Sequence, residues 1–177
     1  MDPFEDCLVK GRLKKIDVDV ERVASELQTA QEELTRARAC YAGGNWGETA
    51  TQAYFALFRT ARAAINSQGY RDTNLYGLLA GVRKLYVETD KLPAKFIDAI
   101  RDSKDIKDVI YEGGRATRRD ARQVLGWALG FVKTVFGLLA LPGFDADAID
   151  ATLPEPQPRA ERSGRNGDGP PRGRGPQ

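Results

Sequence analysis

An alanine-rich segment bounded by two glycine turns is the feature that most constrains the fold of this chain. It lies between Gly43 and Tyr70 and reads GGNWGETATQAYFALFRTARAAINSQGY. It carries an apolar stripe of Tyr54, Leu57, Phe58, Ala61 and Ile65 beside a small-residue stripe of Ala53, Ala56, Thr60 and Ala64. The two stripes predict a helix packed on both sides, where small side chains let a neighbouring helix approach closely.

Four further helices are predicted from the same periodicity. Steps of three and four link the apolar residues Val20, Val23, Leu27, Ala30, Leu34, Ala37 and Tyr41. Beyond the alanine-rich helix, which Asn45 and Glu48 would cap, come segments 74–89 and 93–111, the latter opened by Pro93. The last helix is capped by Thr117 with Asp120, and its buried face is Ala121, Leu125, Ala128, Val132, Val135 and Leu139. Since no segment shows convincing strand alternation, we predict an all-α, five-helix up-and-down bundle over residues 1–142.

Composition limits the remaining possibilities. The 177 residues suffice for one ordinary domain, and a net charge of +2 argues against nucleic-acid binding through bulk electrostatics alone. The two cysteines match no metal motif, so we expect no metal and no cofactor. The acidic N-terminus is unlike a secretory signal, which predicts a cytoplasmic protein. Residues 143–177 are rich in Pro, Gly and Arg and are predicted to be a disordered tail.

The last helix also raises a membrane-spanning alternative. Residues 124–141 are long and apolar enough to suggest it, but Lys133 lies in their middle. A lysine at the bilayer centre costs about 2.5–3.5 kcal/mol on insertion scales. We therefore expect no membrane partner and a bundle helix, with Trp127 and Phe131 on a second contact surface.

The order of segments resembles the HEPN superfamily, small helical domains named for nucleotide binding in higher eukaryotes and prokaryotes. The similarity runs from about residue 5 to residue 135 and is most specific in the run AYFALFRTARA, with a further match at DVIYEGG. Arg62 matches the arginine of the family's Tyr-x-Ala-Met/Leu-x-x-Ala-Arg-Ala pattern. Many HEPN proteins are homodimeric, metal-independent ribonucleases, so the resemblance implies a homodimer.

The catalytic motif of such ribonucleases is altered here. The family's Arg-x4-6-His motif supplies a cation for the phosphate and an imidazole for proton transfer. This chain has no histidine. Tyr111 stands where the histidine is expected. The arginine position is occupied by Ile106 at the shorter spacing of the motif and by Lys104 at the longer spacing. A tyrosine with an ordinary pKa near 10 is a poor proton shuttle at pH 7, which predicts that the nuclease chemistry is absent.

A polar stripe on the fourth predicted helix is the candidate site. Arg101, Lys104, Asp108 and Tyr111 are spaced by three, four and three residues and so share one face. Arg101 and Lys104 would bind an anion while Tyr111 offers a hydroxyl or a stacking ring; the alternative is a solvated, ion-paired helix face. Arg62, flanked by Arg59 and Arg71, would join the same cleft.

Three functions stay open at this point. The first is a non-catalytic, dimeric binding or accessory module for RNA, a nucleotide or a partner protein. The resemblance implies a nucleotidyltransferase-type partner and a toxin–antitoxin or defence setting. The second is a ribonuclease in which Tyr111 and Lys104 replace the usual pair, and the third is a purely structural interaction module. The tail's RSGRNGDGPPRGRG run faintly resembles segments that contact RNA.

Overall fold

The alanine-rich segment forms the central helix of the fold. The computed structural model describes residues 1–156, which contain six α-helices. They are α1 (Pro3–Val9), α2 (Val20–Ala42), α3 (Trp46–Ser67), α4 (Leu75–Val82), α5 (Lys95–Tyr111) and α6 (Arg118–Leu139). A π-helical turn, Arg83–Val87, continues α4, and a short 3-10 turn spans Ala146–Ala148. The mostly helical prediction is confirmed, whereas the count of five is wrong because seven-residue α1 is too short to show periodicity.

Helix α3 is buried on several sides, as its two stripes predicted. It packs against α2, α4, α5 and α6. Ala53, Ala56 and Ala64 are fully buried, and so are Leu57 and Ile65 on the larger stripe. Residues of both stripes are therefore buried, in a core that also includes side chains of α2, α4, α5 and α6.

Helix α2 is the longest helix that packs against α3. Its predicted buried face is confirmed except at its N-terminal end. Val23 to Tyr41 are buried at the expected positions, but Val20 is 61% exposed. Val20 is the first residue of the helix, just after the capping Asp19, whose carboxylate accepts hydrogen bonds from the amides of Glu21 and Arg22. Periodicity assigned Val20 to the stripe but could not show where the contact with α3 begins.

Local capping signals set the other helix starts. Thr117 and Asp120 form the predicted reciprocal box, with distances of 3.1 and 2.8 Å. Asn45 Oδ1 accepts the amide of Glu48 at 3.2 Å, but the Glu48 carboxylate accepts from Gln52 instead of returning to Asn45. Helix α5 begins at Lys95, so Pro93 lies just outside the helix whose first turn it was predicted to occupy.

A two-stranded antiparallel sheet was not predicted. Strand β1 (Leu13–Lys15) pairs with β2 (Tyr70–Asp72), with Leu13 opposite Asp72 and Lys14 opposite Arg71. Three-residue strands are too short for alternation to be visible in the sequence. The sheet lies beside the start of α4, where a Cβ on Gly77 would come 2.2 Å from the carbonyl oxygen of Arg12. A glycine is therefore required for this close approach.

The boundary between bundle and tail lies later than predicted. Ile149 is buried in the core, and Lys133 Nζ donates to the carbonyl oxygens of Ala146 and Ile149 at 2.9 and 3.2 Å. Arg38 Nη1 donates to the carbonyl oxygens of Asp150 and Thr152 at 2.8 and 2.7 Å. Residues 143–152 thus belong to the folded unit, and residues 157–177 of the predicted tail lie outside the described residues.

Helix α6 is a bundle helix. Across residues 1–156, no helix has the length and apolar character needed to cross a membrane. Phe131, predicted on a second contact surface of the helix, is fully buried, with its ring centroid 5.1 Å from that of Phe96 on α5. Trp127 is partly buried against the same core. The apolar run of α6 reflects burial against its neighbours and against residues 143–152.

Candidate functional site

The predicted stripe on α5 is divided by its ion pairs. Arg101 pairs with Asp98, one turn earlier, at 3.1 Å and is largely exposed. Lys104 Nζ instead bonds to Asp108 Oδ2. Tyr111 lies at the end of the helix and is 65% exposed. The stripe is therefore one helical face, as predicted, but Arg101 is committed to a carboxylate outside it.

Lys107 joins the stripe to α3, and sequence reasoning did not single it out. Its ammonium lies 2.9 Å from Asp108 Oδ1, 4.9 Å from the ring centroid of Tyr111 and 5.2 Å from that of Tyr54. Hydrogen bonds from Lys104 and then Lys107 lower the pKa of Asp108. Two ammonium groups thus share one carboxylate, which leaves one positive charge unbalanced.

A run of rings continues from this lysine along α3. Tyr54 and Phe58, four residues apart, stack with ring centroids 6.1 Å apart. The guanidinium carbon of Arg62, a further turn along, lies 4.4 Å from the centroid of Phe58. We call this surface the α3–α5 face; its members are Tyr54, Phe58, Arg62, Lys104, Lys107, Asp108 and Tyr111. The i, i+4 spacing of Tyr54, Phe58 and Arg62 was a visible signal for it.

Tyr54, the buried phenol of this face, is a poor group for proton transfer near neutral pH. Burial, aided by the nearby Asp108 charge, raises the pKa of Tyr54 to about 12. The Lys104 ammonium is bound to Asp108 rather than free to hold a phosphorane. Tyr111 contacts the charge of Lys107 with its ring face. Lys104 and Tyr111 thus lie on one helical face, two turns apart, and each contacts a different side chain of α5.

Arg62 also borders a second polar cluster, which we call the arginine cleft. It has a volume of about 540 Å³ and is lined by Arg22, Glu26, Arg62, Asn66, Arg71, Asp72 and Thr73. These residues come from α2, α3 and the β2 segment. Arg62 donates through Nε and Nη2 to both Asp72 oxygens, each at 3.0 Å. Arg62 and Arg71 therefore meet in a cleft, although not in the one formed by α5.

Arg59 lines neither surface. It contacts Glu26 at 3.6 Å and Glu33 at 3.8 Å, which places it between α2 and α3. Burial raises the pKa of Glu33, although Arg59 and Arg36 partly oppose this effect. Arg59 is thus a structural residue of the helix pair rather than a member of the candidate site.

Metal ligands and relatives offer no further guide. In the part of the chain that the structure describes, no group of three or more Cys, Asp or Glu side chains is placed to hold a metal ion. Comparisons with protein-family models, curated proteins and solved structures found no match for the chain.

Proposed function

We propose that the protein is a non-catalytic helical binding module of HEPN type whose α3–α5 face binds single-stranded RNA. The observation that supports this proposal is the alternation of cations and rings across two helices, with Lys107 in contact with both Tyr54 and Tyr111. Proteins that bind single strands combine aromatic rings for base stacking with cations that follow the backbone. Tyr111, 65% exposed, offers a ring for such stacking, whereas the ring of Tyr54 is buried and contacts Lys107.

The charge on this face sets the expected strength of binding. Asp108 balances one of Lys104 and Lys107, and Asp72 balances Arg62. One of the three cations is left unbalanced, so few phosphates can be neutralised, on the order of one. For single strands the logarithm of affinity falls by about 0.7 per neutralised phosphate for each tenfold rise in salt. A shallow salt dependence and a modest affinity follow.

The ribonuclease alternative lacks support from this geometry. It would require Lys104 to stabilise a charged phosphorane and Tyr111 to move a proton near neutral pH. Lys104 is bonded to Asp108, and Tyr111 is exposed at the end of α5. Incubation of RNA with the protein, followed by electrophoresis, addresses this alternative. Cleavage that is abolished by Tyr111→Phe would favour the enzyme over the binding module.

The main test is fluorescence anisotropy with a labelled single-stranded RNA across a salt series. The test variant is Lys104→Gln/Lys107→Gln, and the matched control is Arg83→Gln/Lys91→Gln, two exposed cations away from the face. We expect binding to fall roughly tenfold or more in the test variant, since each phosphate contact is charge-assisted. Equal affinities for the two variants, each confirmed as folded by circular dichroism, would contradict the proposal.

A partner protein is the second candidate, and one observation favours it. Val109 and Tyr111 expose apolar surface at the end of α5, at 51% and 65%. A homodimer, implied by the HEPN resemblance, would be one way to cover that surface. Sedimentation of the wild-type protein and of Val109→Glu measures whether the chain self-associates through this surface. An absence of RNA binding combined with self-association lost in Val109→Glu would favour the interaction module.

A further inference from the structure

We propose that one end of the bundle is a docking site for an acidic peptide segment of a partner protein, held by four arginines and by an apolar groove beside them. The groove lies where the α2–α3 turn meets the α5–α6 turn and has a volume of about 490 Å³. We call it the Trp46 groove; its lining includes Trp46, Ile110, Arg115 and Ala116. Its described lining residues are all distinct from those of the α3–α5 face, so the inference does not depend on RNA binding.

An arginine patch follows the groove in the chain. Its members are Arg115, Arg118, Arg119 and Arg122, and all four are exposed. Arg119 and Arg122 lie one and four residues after Arg118, so these three side chains share one side of the first turns of α6. Arg115 precedes the helix and also lines the groove. The arginine patch and the Trp46 groove therefore form one continuous surface.

The charge of the arginine patch is not neutralised by the folded part of the chain. Within residues 1–156, none of its four guanidinium groups has a carboxylate oxygen within 4.0 Å. Asp120, the acid among them, accepts the amide of Thr117 at 2.8 Å in the capping box. Arg118 and Arg119 are also the first two residues of α6, where the helix macrodipole disfavours cations. An anionic partner would relieve both effects.

The Trp46 groove adds an apolar surface next to these charges. Trp46, Ile110 and Ala116 are partly buried side chains packed against the core. Gly47 keeps the space beside Ile110 open, since an added Cβ would lie 3.9 Å from Ile110 Cγ2. A side chain entering the groove would contact Trp46 and Ile110 and would lose its contact with water, which favours an apolar residue. Tryptophan and arginine are also the residues on which protein–protein contacts most often depend.

Together the two surfaces define the class of partner. Arg118 and Arg122 are four residues apart, about 6 Å along α6. Alternate residues of an extended peptide point the same way and are about 7 Å apart. Two acidic residues at alternate positions would therefore reach both arginines, as in other sites where arginine clusters bind acidic motifs. A neighbouring apolar residue would enter the groove.

The groove also favours a peptide over a nucleic-acid strand. The ring of Trp46 is partly buried and packs against Tyr41, with ring centroids 5.4 Å apart, so it is not an open platform for a base. Proteins that bind single strands combine their cations with such platforms. The arginine patch lacks one among the described residues of the groove. An aliphatic side chain needs only the apolar contact that Trp46 and Ile110 offer.

The first experiment selects peptides from a random library displayed on phage, using the full chain and, separately, the Arg118→Gln/Arg122→Gln variant. We expect the wild type to enrich peptides with acidic residues at alternate positions next to an apolar residue, and the variant not to enrich them. Thermal unfolding checks that the variant is folded. It should unfold at or above the wild-type temperature, because Arg118→Gln removes a cation from the start of α6.

Fluorescence anisotropy with a labelled, enriched peptide then measures the contribution of the charges. The matched control is Arg71→Gln/Arg83→Gln, two exposed arginines on other elements. We expect roughly tenfold weaker binding in Arg118→Gln/Arg122→Gln, since each exposed ion pair contributes modestly, and no change in the control. Binding should also weaken as salt is added.

A second variant measures the contribution of the groove. Ile110→Ala should weaken binding of the enriched peptide about five- to tenfold, because it removes apolar contact. It should have little effect on the same peptide with serine in place of its apolar residue. A merely misfolded variant would instead weaken both peptides equally, so the comparison separates the two causes. Equal losses would contradict the role given to the groove.

Three outcomes would overturn the proposal. The first is that the wild type enriches no acidic peptide, or that the test and control variants bind the enriched peptide equally. The second is that Arg118→Gln/Arg122→Gln loses RNA binding instead, which would assign the arginine patch to a nucleic acid. The third is self-association that this variant abolishes, which would make a second copy of the chain the occupant. The Lys104→Gln/Lys107→Gln variant should still bind the peptide, so failure of the α3–α5 face is distinguishable from failure of this site.

Discussion

The guanidinium of Arg62 holds the carboxylate of Asp72 through two hydrogen bonds of 3.0 Å. The pair ties α3 to β2, ten residues further along the chain. The side chain of Asp72 is 1% exposed, whereas Arg62 retains contact with solvent. This contact holds the wall of the arginine cleft in place and leaves Arg71, the preceding residue, on the exposed face of the strand.

Loss of this carboxylate should destabilise the fold. We expect Asp72→Ala to lower the free energy of unfolding by about 2–4 kcal/mol, because Arg62 loses its buried partner. Urea denaturation measures the change. The matched control is Asp98→Ala, which removes the exposed partner of Arg101 and should cost no more than about 0.5–1 kcal/mol. Similar losses for the two variants would show that the Arg62–Asp72 pair has no special structural role.

Two glycines should respond in opposite directions to alanine. A Cβ on Gly77 would lie 2.2 Å from the backbone oxygen of Arg12, which cannot move without displacing β1. Gly77→Ala should therefore lower stability by about 1–3 kcal/mol. Gly126 lies inside α6 with no atom within 4 Å of an added Cβ. Gly126→Ala should raise stability by about 0.5–1 kcal/mol, and thermal melts of the two variants check both signs.

Lys133 should anchor residues 143–152. In Lys133→Met the carbonyl oxygens of Ala146 and Ile149 lose the ammonium donor at 2.9 and 3.2 Å. We expect a loss of about 1–2 kcal/mol and faster amide hydrogen exchange confined to this segment. The control is Arg122→Met, which replaces an exposed arginine on the same helix. Unchanged exchange in residues 143–152 of Lys133→Met would mean that the lysine does not hold them.

Glu33 should make stability depend on pH. Burial raises its pKa above the ordinary 4.5, so between the unfolded and folded pKa values the folded state binds more protons. The stability that it contributes is therefore present at acidic pH and is lost as pH rises through the folded pKa. Glu33→Gln should be more stable than the wild type at pH 7, with a difference that disappears below the ordinary pKa.

Thermal unfolding as a function of pH measures this difference. Glu32→Gln, an exposed neighbour on α2, should show no comparable trend. A Glu33→Gln protein less stable than the wild type at neutral pH would contradict the prediction. That result would mean that attraction between the Glu33 carboxylate and Arg59 outweighs the cost of burying the charge.

The helices were predictable because their signals are local. The spacing of apolar residues from Val23 to Tyr41 indicates which side of α2 is buried, and the Thr117–Asp120 capping box indicates where α6 begins. The stripe of Lys104, Asp108 and Tyr111 on one face of α5 also follows from spacing alone. Short elements escape such reasoning: α1 has seven residues and β1 three, fewer than a periodic pattern needs.

Partners distant in the chain were decided by the tertiary structure. The sequence showed a lysine in an apolar helix, but only the fold brought the carbonyl oxygen of Ile149 to Lys133. Likewise, the meeting of Arg22 with Arg71 in one cleft depends on how α2 and β2 are placed against α3. Burial patterns and capping residues can be read from a sequence because they depend on residues a few positions apart. The partner of a given cation depends instead on segments that are distant in the chain and meet only in the folded protein.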